Sequence, residues 1–185
     1  MADDIGRSRA RAARRPLVVA LFVALVVTTA CASGPPTSPT SIGCDETSGS
    51  TEDVDVDRFT ALVHLPPCYD SGDGDYPTVY LLHGAGMSPQ SWTDPAIGAD
   101  RIADRMMVDG ELEPVIMVFA PRSTTNQRFA DDVIDSLIEV VDEAHRVRDE
   151  PTSRGIGGFS AGGPATAYAA FTGPARFGAV GLFAV

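Results

Sequence analysis

The sequence predicts an α/β protein built on a doubly wound, mostly parallel sheet. Strand-length runs that are apolar throughout, the signature of strands buried on both faces, alternate along the chain with stretches of helical spacing. Glycine-rich turns close two of those runs, where a doubly wound sheet places its cleft. At 185 residues, 44% hydrophobic and 21% charged, the chain is long enough for one sizeable core plus processing segments.

Charge is unevenly spread. Five of the 14 basic residues and only two of the 25 acids lie in residues 1–30, so the remainder is more acidic than the overall −11. Such a body argues against nucleic acid or an anionic membrane surface as partner. The arginines at positions 7, 9, 11, 14 and 15 form a positive n-region. Leu17 to Val27 is an apolar run of signal-peptide length, too short to span a bilayer comfortably. Thr28-Thr29-Ala30-Cys31 resembles the bacterial lipobox, with Thr28 where leucine is usual. Ala30-Cys31-Ala32 also fits a simple cleavage site, and lipidation of Cys31 is the preferred reading. Residues 1–31 are therefore expected to be a signal peptide. Residues 32–52, opening with the Pro/Ser/Thr-rich Gly34–Ser41, are expected to be a flexible tether. Residues 53–185 are left as the folded domain. With Cys31 lipidated, Cys44 and Cys68 form an even pair in an oxidising compartment, where a disulfide is plausible. No Cys/His spacing suggests a metal.

In the body, Phe59–Leu65 alternates as a strand and stops at Pro66-Pro67. Ser71–Asp75 is a solvated turn. Pro77–His83 is a buried strand closed by His83-Gly84-Ala85-Gly86. Residues 98–109 carry Ile102, Met106 and Met107 at helical spacing, with Asp94, Asp100 and Asp104 expected on a solvated face. Trp92 either lines a pocket or plugs the core beneath this helix. Pro114–Ala120 is another buried strand. Phe129–Val147 is the clearest helix, with Val133, Leu137, Val140, Val141 and Ala144 on one stripe. Arg154–Phe159 is a short strand, the small residues after Ser160 form a helix with Pro164 in its first turn, and Phe177–Val185 opens one more strand.

Gly158-Phe159-Ser160-Ala161-Gly162 lies between that strand and that helix. A Gly-x-Ser-x-Gly pentapeptide alone is a common chance match. A preceding strand, a following helix and an upstream glycine turn whose N–H groups face a cleft give it the context of a nucleophile elbow. Gly158 and Gly162 are read as positions where a Cβ would strike the neighbouring strand or helix.

Tyr76–Gly86, His145-Arg-Val-Arg148 and Gly158–Gly163 together resemble the esterase family of α/β-hydrolases. It takes in esterase D, feruloyl esterases and enterochelin esterase-like proteins, with the antigen 85 mycolyltransferases as relatives. The resemblance runs from about Phe59 to Val185. It implies Ser160 as the nucleophile forming an acyl-enzyme, and an oxyanion hole from the N–H groups of Ala161 and Ala85, with Gly86 as the alternative. His83 and Gly84 would shape that turn. It implies a small-molecule or carbohydrate-linked ester as substrate, and no cofactor.

The chain departs from the family's pattern after Ser160. The family's order is serine, then Asp or Glu, then His, yet no Asp, Glu or His follows Ser160. His64 and His145 are read as packed residues and His83 as a loop shaper. Val185 falls within an apolar run, so the expectation is a C-terminally truncated hydrolase domain, inactive as it stands, whose last strand is a bare apolar edge. An exported serine ester hydrolase is the leading reading of function. An acyltransferase of the same fold is the second; the mycolyltransferases usually carry Asp where this chain has His83, which favours hydrolysis. A non-catalytic surface lipoprotein is the third. The membrane enters only through a lipid anchor, and no nucleic acid is expected.

Overall fold

The computed structural model describes residues 44–121, 129, 133–172 and 175–184. The proposed leader, Cys31 and the tether up to residue 43 lie outside them. Six strands follow in chain order: β1 (Ser50–Val56), β2 (Phe59–Leu65), β3 (Thr78–Leu82), β4 (Ile116–Ala120), β5 (Arg154–Phe159) and β6 (Ala179–Phe183). Among the described residues, three helices cross between the parallel strands: α1 (Ala99–Val108), α2 (Ile134–Ala144) and α3 (Gly162–Phe171). The strands form one sheet in the order β1-β2-β4-β3-β5-β6. β1 and β2 are an antiparallel hairpin, β2 lies antiparallel to β4, and β4, β3, β5 and β6 run parallel.

Side chains alternate between the two faces with the period of two that a pleated strand imposes. Ala61, Val63, Leu65, Tyr80, Leu82, Ile116, Val118 and Ile156 point to one core, which α2 and α3 close with Ile134, Leu137, Val141, Ala165 and Ala169. Leu62, Met117 and Phe119 point to a second, smaller core beneath α1, with Ala103, Met107 and Trp92. α2 buries Ile134, Leu137 and Val141 at helical spacing and keeps Asp135 in its first turn, where the helix dipole favours a carboxylate. Arg176 pairs with that carboxylate and holds it below the usual carboxylate range. Among the described residues, no helix is long and apolar enough to cross a membrane.

Two elements and one side chain differ from the sequence reading. β1 begins at Ser50, so the last three residues assigned to the tether are strand. Its side chains are mostly exposed, and backbone pairing with β2 rather than burial holds it. α2 stops at Ala144 and His145 is extended, because residues 146–148 are drawn into a bridge with Tyr76: Tyr76 N–H donates to Arg146 O and Arg148 N–H to Tyr76 O, both at 2.9 Å. Asp104 is not on a solvated face. Only 5% of it is exposed, and it accepts from His64 Nε2 at 2.8 Å and from Gly49 N–H at 3.0 Å. A helix pattern cannot show a carboxylate turned inward onto a histidine of another element. β6 lies at the sheet edge, with Val180, Leu182 and Phe183 exposed. Cys44 and Cys68 are joined, closing a separation of 24 residues, and Glu46 accepts the Cys68 N–H at 3.0 Å.

His145 gives the fold a pH dependence of known sign. Its ring packs edge-on to Tyr69, and burial lowers its pKa below 6.5, partly offset by Glu52, whose Oε1 lies 3.5 Å from Nε2. The unfolded chain then binds more protons below about pH 6.5, so stability falls as pH drops through that value. The thermal midpoint of wild type is expected to fall more steeply between pH 7.5 and 5.5 than that of His145→Gln. Parallel curves would remove His145 from the account.

Candidate active site

The site is assembled by register. β3 and β5 are parallel neighbours with Leu82 opposite Gly158, so the turn leaving β3 and the turn leaving β5 emerge side by side at the same sheet edge. The first is His83–Gly86 and the second carries Ser160.

Ser160 has φ +50°, the left-handed region that costs an L-residue about 1–2 kcal/mol. Both of its backbone polar groups are occupied: its N–H donates to Phe183 O at 2.8 Å, and its C=O accepts from Gly163 N–H at 2.9 Å. The strained conformation is therefore fixed from the β6 side and the α3 side at once. Crowding explains the flanking glycines. A Cβ on Gly158 would lie 2.3 Å from Thr166 Oγ1 and 2.5 Å from Gly162 O, and one on Gly162 would lie 2.5 Å from Leu82 O. α3 can sit this close because Gly162, Gly163, Ala165 and Ala169 are its buried residues, with Thr166.

Gly84 O accepts from His83 Nδ1–H at 2.9 Å and from Met87 N–H at 3.4 Å, which fixes the His83 tautomer and the plane of the Gly84–Ala85 peptide. Among the described residues no peptide bond is cis, so the Ala85 N–H points away from that carbonyl. Gly86, the alternative donor, takes φ +73°. The Ala161 N–H stands at the start of α3, where the unpaired donors of a helix N-terminus favour negative charge.

The histidines separate cleanly. His64 faces Met117 near the start of β4, and His145 precedes the residues paired with Tyr76 ahead of β3; both belong to the opposite edge of the parallel strands from Ser160. His83 alone of the three is at the serine's edge, and it is engaged with the turn. Cys44, Glu46 and Cys68 bring potential ligand atoms within 4.8 Å of one another, but the two sulfurs are bonded together.

An apolar cavity of about 270 Å³, lined by Leu81, Trp92, Phe159 and Phe183, adjoins the elbow. Trp92 serves both roles weighed from the sequence: its ring stacks on Phe119 at 6.2 Å and 17°, and it also walls this cavity. Phe159 and Phe183 were not singled out in the sequence. The available signal was that Phe159 is the residue before the serine in the motif.

Comparison with known proteins agrees with this layout. The chain is 33% identical over 139 residues to an endo-1,4-beta-xylanase/feruloyl esterase of Xylanibacter ruminicola, covering 66% of this chain and 19% of that protein. Among solved structures, the CE1 ferulic acid esterase of Anaeromyces mucronatus superimposes with a TM-score of 0.61 at 18% identity, over 81% of this chain and 63% of that one. A mutant of the feruloyl esterase module of Clostridium thermocellum, complexed with sinapinate, gives 0.53 at 25% identity, over 74% and 53%. The chain thus spans less than two thirds of each. The profile described as Putative esterase matches residues 56–185, and the chain belongs to that family of α/β-hydrolases.

Proposed function

We propose that this protein is a serine carboxylic ester hydrolase with Ser160 as nucleophile. One observation carries the reading: a left-handed serine, held by backbone bonds on both sides, stands at the β5–α3 turn beside a pinned glycine turn. Ser160 Oγ attacks the ester carbonyl, the oxygen gathers negative charge between the Ala161 and Ala85 N–H groups, and the alcohol leaves as an acyl-enzyme forms for water to resolve. A small-molecule or carbohydrate-linked ester suits this chemistry, and the names of the feruloyl esterase relatives support it. No cofactor enters.

A serine hydroxyl needs a base, and no Asp, Glu or His follows Ser160. Oxyanion stabilisation and positioning alone are worth of the order of 10³–10⁴-fold over water. The positive n-region, apolar run and Cys31 support export with a lipid anchor.

The test is covalent capture. A fluorophosphonate loses fluoride, and Ser160 Oγ its proton to solvent, as the oxygen bonds to phosphorus; without an adjacent base the reaction is slow, so prolonged exposure to excess reagent should add one phosphonyl group to wild type, mapped to Ser160 by mass spectrometry. Ser160→Ala should gain none. Equal labelling of both proteins would sink the assignment.

A further inference from the structure

The disulfide that closes the loop around β1 and β2 lies beside a third ligand-bearing side chain. The ligand atoms of Cys44, Glu46 and Cys68 fall within 4.8 Å of one another, and among the described residues no other three His, Cys, Asp or Glu side chains come so close. Two backbone donors brace these atoms. Glu46 N–H donates to Cys44 Sγ at 3.3 Å, and Cys68 N–H donates to Glu46 Oε2 at 3.0 Å. The first bond suits a thiolate, and the second orients the carboxylate and leaves Oε1 for a cation, as the outer partners of metal ligands do. The three residues also have anchors besides the S–S bond. Cys68 holds φ +67° in a turn where its carbonyl accepts from Gly72 N–H at 3.1 Å and from the Ser71 hydroxyl at 3.2 Å. The segment before β1 is tied to α1 through Gly49 N–H and Asp104.

We propose that the reduced form of this pair is a zinc site, with Cys44 Sγ, Cys68 Sγ and Glu46 Oε1 as ligands and solvent at the fourth tetrahedral position. Two thiolates and one carboxylate select zinc over calcium or magnesium. The two Cα atoms are 6.0 Å apart. Side-chain rotation then opens the sulfurs to the about 3.8 Å that two thiolates about 2.3 Å from one tetrahedral ion require. Cys68 is buried and Glu46 exposed, so the ion arrives from the Glu46 side. A thiol or phosphine reductant gives two electrons to the S–S bond and leaves as a disulfide or a phosphine oxide. Two thiols form, and zinc binding releases their protons to solvent. Zinc and the disulfide are thus alternative closures of one loop, and oxidation of the pair expels the ion. Under the export proposed above, the zinc form belongs to the cytoplasm, where thiols stay reduced, and the disulfide to the exterior.

The test uses the 185-residue protein carrying Cys31→Ser, in which Cys44 and Cys68 are the only cysteines. It is reduced with a phosphine, freed of the reductant without air, and titrated with Cd²⁺ and with Zn²⁺. The reduced protein should take up one Cd²⁺ per chain, read from the ultraviolet thiolate-to-metal charge-transfer band, and the oxidised protein should show no band. Zn²⁺ affinity, read by competition with a chromophoric chelator, should fall at least tenfold in Glu46→Gln and at least a hundredfold in Cys44→Ser. Zn²⁺ should also raise the thermal midpoint of the reduced protein and leave that of the oxidised protein unchanged. If reduction unfolds the chain, Zn²⁺ should restore the circular dichroism of the oxidised form, because binding to the folded state draws the equilibrium back. A reduced protein with neither band nor recovery of stability would overturn the site. Equal Zn²⁺ affinity in Glu46→Gln would overturn it too, since the cysteines would then bind metal without the third ligand.

Discussion

Gly158→Ala should lower the folding free energy by about 3 kcal/mol, read as a drop in urea midpoint at unchanged slope. The added methyl would stand 2.3 Å from Thr166 Oγ1 and 2.5 and 2.6 Å from the carbonyl oxygen and carbon of Gly162. A flexible side chain can rotate away, but backbone cannot, and neither partner is free to retreat. β5 is held between β3 and β6, and α3 lies on the larger core through Ala165 and Ala169. Thr166→Ala in the Gly158→Ala background should therefore recover only part of the loss, because the contact with Gly162 remains. Gly74 supplies the control: a Cβ there meets nothing within 4 Å, its φ is not in the left-handed region, and Gly74→Ala should stay within about 0.5 kcal/mol of wild type. Gly158→Ala matching that control would mean the elbow is not packed as described. The cost is the physical content of the motif's first glycine.

How much was legible in the sequence follows from where each signal resides. β2 and β5 fall at Phe59–Leu65 and Arg154–Phe159, the limits read from the sequence, because each run is bounded locally, by Pro66-Pro67 or by the serine turn. The elbow and the glycine turn were readable for the same reason: their requirements are written in consecutive residues. β1 was not, because Ser50–Val56 is acidic and exposed, and what makes it a strand is the backbone of β2. The end of α2 was overrun because residues 146–148 are claimed by Tyr76, seventy residues earlier in the chain. The pocket walls come from β3, the turn after it, β5 and β6, and only the register of the sheet brings them together. Asp104 is the sharpest case. Its partners are in β2 and before β1, and a helical wheel places it one turn from Asp100, on a face that its polarity alone reads as solvated.

Asp104→Ala should cost about 3 kcal/mol, and the reason is the completeness of the network it would break. The Thr51 hydroxyl meets His64 Nδ1 at 2.8 Å, His64 Nε2 meets Asp104 Oδ1 at 2.8 Å, and Gly49 N–H donates to Asp104 Oδ2 at 3.0 Å. An ionised carboxylate only accepts, so the Nε2 proton belongs to the histidine, and His64 can take the Thr51 proton at Nδ1. Removing the carboxylate strands a histidine that is 2% exposed and a backbone N–H together. It also unties β1 from α1. His64→Leu alone should be comparably harmful, since it leaves a buried carboxylate without its main donor. The double change His64→Leu/Asp104→Ala removes both polar partners and should recover at least about 1 kcal/mol relative to the sum of the single losses. A double-mutant cycle by urea denaturation reads that coupling directly; additive losses would show that the two groups do not act as a pair. The same variants separate stability from chemistry. A hydroxyl, an imidazole and a carboxylate in series have the look of a catalytic triad, but this series lies at the opposite sheet edge from Ser160. Any His64 variant that remains folded should therefore label at Ser160 at the wild-type rate. Loss of labelling in a folded His64 variant would require the histidine to reach the serine, which the register of β2 on β4 forbids.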